Sequence, residues 1–143
     1  MSRAEDFVER FTRWVEKRGD VLAAALVGSR ARGDARPDSD VDLVIVTRAR
    51  RSYVTNQEWV HELGSVKSIA VERWGAVTSL RVRYEQWPEV EFAVASPAWA
   101  QTDPVDAGTA WVISEGFRIL LDRESLLDDL LTAFEKMGVT TRK

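Results

Sequence analysis

The chain has 143 residues, 45% of them hydrophobic and 30% charged, with a formal charge of −3, the proportions of one globular domain spanning 1–143 with a sizeable core. It lacks cysteine and has a single histidine, His61, which excludes disulfides, thiolate nucleophiles and cysteine or multi-histidine zinc sites and leaves carboxylates as metal ligands. No window approaches eighteen apolar residues, the amino terminus carries Arg3, Glu5 and Asp6, and the balance is acidic, so the expectation is a cytoplasmic protein with no membrane span and no stable nucleic-acid binding.

The first element reads as a helix. Ser2 and Glu5 have capping-box spacing, Phe7, Val8, Phe11, Trp14 and Val15 follow at helical intervals, and Gly19 stands where a C′ glycine would end it. Residues 21–27 form an apolar strand that stops at Gly28-Ser29 and enters a segment with Arg30, Arg32 and Gly33. A glycine directly after a strand lets a ligand approach the backbone, and a following helical turn aims free N–H groups and its positive end at an anion. The Ser29 hydroxyl adds a rotatable donor. Pro37 marks a turn into a second strand, 41–47. There Asp40 and Asp42 project from one face and Val41 and Leu43 from the other, while the run 43–46 suits a central strand buried on both faces. Two like charges about 4 Å apart cost about 4 kcal/mol at an effective dielectric near 20, so this pair should separate, share a proton or hold a hard cation, Mg²⁺ first. Arg30, Arg32, Arg36, Arg48, Arg50 and Arg51 gather around the segment, Arg50 and Arg51 reading as solvated loop-edge residues.

Residues 56–63 can form a short helix capped by Thr55 or Asn56 and ended by Gly64, with His61 a surface residue on it. Stretches 66–72, 77–84 and 90–96 then read as an antiparallel meander turning at Trp74-Gly75 and at 86–88. On its last strand Glu89 and Glu91 share a face; Glu89 follows Pro88 in the turn and is expected in solvent. After a connection through 97–106, residues 111–114 and 117–121 suggest a hairpin about Glu115-Gly116, 126–137 a closing amphipathic helix with Ser125 as its cap, and 140–143 a frayed tail. The six tryptophans are expected in the core or over its edge, with Trp99 the candidate to stack on a nucleobase or an acceptor ring.

Gly28-Ser29, a ten-residue spacer, Asp40-Val41-Asp42 and a later Val90-Glu91-Phe92 together resemble the signature of the nucleotidyltransferase superfamily with the DNA polymerase β palm fold. The likeness is greatest to small stand-alone bacterial minimal nucleotidyltransferases and to the nucleotidyltransferase domain of aminoglycoside adenylyltransferases. It implies a single α+β domain, a mixed, mostly antiparallel sheet with helices packed on one face. It also implies that Gly28, Ser29, Arg30 and Arg32 bind a nucleoside triphosphate, ATP the first choice, and that Asp40, Asp42 and Glu91 are both catalytic residues and ligands of two Mg²⁺ ions, with Glu91 as general base and Glu89 second in line as third ligand. The activity implied is transfer of a nucleoside monophosphate to a hydroxyl of a small-molecule or protein acceptor. The chain beyond 96 is short for the helical acceptor-binding domain of the antibiotic-modifying enzymes, so a homodimer, a partner protein or the open face would complete the acceptor site. An antitoxin-like member acting on a partner toxin and an inactive nucleotide-binding module are the alternatives.

Overall fold

Two seven-residue apolar runs pair antiparallel at the centre of a computed structural model that describes residues 2–138: Val21–Val27 (β1) and Val41–Thr47 (β2). β1 reads VLAAALV, apolar at every position, and such a strand is stable only where both faces and both edges are covered. The other strands supply the edges. Val66–Trp74 (β3), Val77–Tyr84 (β4), Val90–Ala95 (β5) and Phe117–Asp122 (β6) join them in the order β3-β4-β5-β2-β1-β6. Only β2 and β5 run parallel; the remaining pairs are antiparallel, so the α+β class with a mixed, mostly antiparallel sheet and the 66–95 meander are as the sequence predicts.

One face is covered by α1 (Arg3–Glu16), α3 (Arg50–Thr55) and α4 (Glu58–His61). Phe7, Phe11, Tyr53, Trp59 and Val60 pack there on Leu43, Ile45 and Phe92. The capping box of α1 is formed: Ser2 Oγ accepts from the Glu5 amide at 3.0 Å and Glu5 Oε1 from the Ser2 amide at 3.1 Å. The helix stops at Glu16 without a glycine cap. Arg123 instead reaches back to donate to the carbonyls of Val15, Glu16 and Arg18, which leaves Gly19 in the following turn. The helix expected over 56–63 is shortened to α4, Glu58–His61, and α3 precedes it as a separate helix that the sequence pattern did not signal.

Helices also lie on the second face, beyond the one-face packing expected. A 3-10 helix (Pro97–Ala100), α5 (Ala107–Ser114) and α6 (Leu126–Lys136) bury Trp99, Ile113, Leu127 and Leu130 against Ala23, Ala25, Val44, Val46 and Ala95. These strand residues are as apolar as those on the first face and need the same cover. The hairpin expected about Glu115-Gly116 is therefore a helix followed by a strand: the Asp106 carboxylate caps α5 by accepting from the Thr109 amide at 3.1 Å, and β6 pairs with β1. Ser125 does not cap α6. It sits at φ 57°, and the Asp122 carboxylate accepts from the amides of Leu127 and Asp128 in its place. The tail expected at 140–143 lies outside the described residues.

Candidate active site

At the end of β1 the chain turns through Gly28, φ +78° and ψ −154°, into a four-residue helix, α2 (Ser29–Arg32). A Cβ on Gly28 would stand 2.9 Å from Asp42 Oδ2, so the absence of a side chain is what lets this backbone lie against the carboxylate. Gly116, φ +129°, closes the turn from the other side: a Cβ there would stand 2.6 Å from the Gly28 carbonyl oxygen, and its own carbonyl accepts from the Gly28 amide at 3.2 Å. The first-turn amides of α2 have no carbonyl four residues back within the helix, which gives the turn its capacity for an anion. Arg32 leaves α2 to donate to the Asp34 carboxylate at 2.9 Å and to the Glu115 carbonyl.

Across the sheet, register sets the charged groups in one row. Val27 pairs with Asp42, Asp42 with Glu91 and Glu91 with Arg81, on β1, β2, β5 and β4 in turn, so their side chains share a face. The Arg81 guanidinium donates to Glu91 Oε1 at 2.9 Å and to Glu89 Oε2 at 2.9 Å, and it stands 3.4 Å from Asp40 Oδ2. Glu89 is therefore not in solvent; its side chain is 29% exposed against 25% for Glu91, because Arg81 gathers both carboxylates of that face. Among the described residues no donor bonds the Asp42 carboxylate. Burial, then Glu91 and Asp40, push its carboxyl up to about 6. Asp40 is raised by burial and by Glu89, with Arg81 and Arg30 acting against the rise.

Carboxylate oxygens beside a turn with free amides are the donor chemistry of a hard divalent cation, and burial among like charges, the setting of Asp42, is one that such a cation would relieve. The arrangement departs from the expected cluster in one respect. Among the described residues no three acidic or imidazole side chains stand together closely enough to hold an ion, because Arg81 draws Glu91 and Asp40 towards itself. The set fits a divalent ion in kind, with Arg81 as the cation that would give way.

A cavity of about 750 Å³ opens over this row, and Gly28, Ser29, Arg32, Asp42 and Glu91 all line it. Arg30 does not. Its guanidinium donates to the carbonyls of Arg36, Pro37, Ser39 and Asp40 and so holds the loop that carries Asp40, which makes it a positioning residue. Arg48, Arg50 and Arg51 lie past the far end of β2 and do not flank the site; Arg48 pairs with Glu124 at 3.5 Å and Arg50, only partly exposed, donates to Thr78 at 3.2 Å. Trp99 lines the cavity but is buried and stacked on Phe117 at 6.4 Å. Trp74 and Trp111, 62% and 65% exposed, also line it, contrary to the expectation that all tryptophans pack in or over the core. Sequence reasoning passed over Arg81 although its signal was present: between Leu80 and Val82 it stands, with Ser79, on the opposite side of β4 from those two apolar residues.

Among the described residues no helix is long and apolar enough to cross a membrane. No curated protein matches the chain in sequence. Among solved structures an aminoglycoside 6-adenyltransferase from Bacillus subtilis is similar, with a TM-score of 0.56 and 13% identity over 70% of this chain and 37% of that one. That likeness is one of fold, and the chain spans little more than a third of that protein's length. Residues 8–93 match the nucleotidyltransferase domain family, a stretch that holds the Gly28-Ser29 turn, β2 with its two aspartates and Glu91. With more than half of its length inside that match, the chain belongs to the nucleotidyltransferase domain family.

Proposed function

We propose that the protein transfers a nucleoside monophosphate, AMP from ATP in the first instance, to a hydroxyl of an acceptor. The observation that carries this is the contact of the Gly28 turn with Asp42: an anion-binding backbone and a carboxylate row share one cavity, at a separation that a single methyl group would fill. Gly28 and Ser29, with Arg32 beside them, would hold the triphosphate. Asp40, Asp42 and Glu91 would hold Mg²⁺, which when bound supplies positive charge at the attacking and leaving oxygens. Arg30 keeps Asp40 in place through the loop carbonyls, and the register of β5 against β2 sets Glu91 beside Asp42 on the cavity side of the sheet. The acceptor oxygen forms its bond to the α-phosphorus, the α–β bridging bond breaks, pyrophosphate leaves, and the hydroxyl proton passes to Glu91. A nucleoside triphosphate substrate suits a cytoplasmic location.

The test is incubation with labelled ATP, GTP, CTP or UTP, Mg²⁺ and a panel of hydroxyl acceptors, with pyrophosphate release as readout. Release that requires Mg²⁺ and is lost in Asp40→Asn and Asp42→Asn is expected. A protein that neither binds any of the four nucleotides nor releases pyrophosphate would overturn the reading.

A further inference from the structure

The cavity is polar at one end, about Gly28, Asp42 and Glu91, and apolar at the other. From Glu91 the same face of the sheet continues over Ala93 on β5, which pairs with Ser79 on β4, then over Val77, which pairs with Trp74 at the tip of the β3–β4 hairpin. These small side chains make a floor leading away from Glu91. Trp74 stands at its end and Trp111, on α5, also lines the cavity; both indoles are largely exposed, and among the described residues neither is in ring contact with another aromatic residue. A large indole left in water at a cavity rim is a face without its partner.

We propose, resting on the nucleotidyl-transfer reading above, that this half of the cavity binds the acceptor, and that the acceptor is an alcohol or phenol carried on a flat aromatic ring which packs against Trp74 and Trp111. Position assigns the occupant: the floor begins at Glu91, the residue that would take the hydroxyl proton, on the side of the row away from the Gly28 turn. Polarity assigns its chemistry. The Asp106 carboxylate is already the cap of α5, Glu115 pairs with Arg32 at 3.4 Å, and the Ser79 hydroxyl is the polar group left along the floor. A polyhydroxylated acceptor would lay most of its hydroxyls on the apolar floor unmatched, whereas a ring with one hydroxyl aimed at Glu91 would not.

The probe is 4-methylumbelliferone, a planar fluorescent phenol, titrated against the full chain with and without Mg²⁺ and a non-hydrolysable ATP analogue, alongside myo-inositol as a non-aromatic polyol. The phenol is expected to bind the nucleotide-loaded protein and myo-inositol not to. Trp74→Ala and Trp111→Ala should each weaken the phenol roughly five- to tenfold, the scale of one lost aromatic stack, while Trp74→Phe restores most of the loss and nucleotide affinity stays at the parent value. Failure of the phenol to bind, binding that ignores both substitutions, or competition between phenol and nucleotide with nucleotide affinity falling in Trp74→Ala would overturn the proposal, the last by assigning the indoles to the nucleobase. If the parent binds no nucleotide at all, the donor reading fails separately, and tryptophan-dependent binding of the phenol to the free protein still decides the aromatic site.

Discussion

Asp42 carries the clearest electrostatic signature in the molecule. Its carboxyl titrates near 3.8 in an unfolded chain and near 6 in the fold, so between those values the folded state holds the additional proton. The contribution of this residue to stability is therefore greatest below about pH 4 and is lost as the pH rises to about 6, after which it is level. Asp42→Asn removes that dependence: without divalent metal its melting temperature should exceed the parent's by a margin that widens from pH 4 to pH 6, and calorimetry across that range measures it. The same variant should gain less than the parent from Mg²⁺ and nucleotide together, since ligand stabilisation follows affinity for the folded state. Gly28→Ala behaves oppositely. It places a methyl 2.9 Å from Asp42 Oδ2 on a backbone at φ +78°, and a loss of about 1–3 kcal/mol in urea unfolding is expected together with loss of nucleotide binding. Glu89→Gln should retain more transfer activity than Glu91→Gln, because both meet Arg81 but only Glu91 lines the cavity; equal loss in the two would make them joint ligands.

Between elements, long side chains perform tasks that local sequence signals assign to caps. Arg123 donates through one nitrogen to Val21 at 2.9 Å and through another to the last carbonyls of α1, joining the end of the first helix to the start of β1. Arg123→Met leaves those carbonyls without a charged donor and should cost about 1.5–3 kcal/mol, whereas Gly19→Ala, with nothing within 4 Å of the added methyl, should cost little; paired denaturant melts compare them. This contrast shows where the sequence was readable. β1, β2, the meander and the α1 capping box were legible because each is fixed by neighbours a few residues away, through period-two alternation, an unbroken apolar run or a Ser-x-x-Glu spacing. Gly28, Ser29, Asp42 and Glu91 were legible for the same reason, being placed by strand ends and parity. The misread pieces depend on distant partners. Trp111-Val112-Ile113 looks like a strand until Asp106 caps it and Ile113 is buried beside Leu127 and Leu130, and Glu89 looks exposed until a side chain from β4 reaches it. The place of Arg30 was not readable, because an arginine after a strand-ending glycine has the same sequence appearance whether it faces the cavity or its own loop.

For the molecule as a whole, the order of strands in space departs far from their order in the chain. β2 meets β5 only after the β3–β4 hairpin has been made between them, and β1 waits for β6, with 89 intervening residues between Val27 and Phe117. The Gly28 turn itself is closed by Gly116. During synthesis β1 therefore emerges early as an uncharged seven-residue strand, VLAAALV, and keeps a bare edge until β6 has left the ribosome. An exposed apolar edge of this kind is a template for pairing with other chains, so the nascent protein should depend on chaperones over that interval.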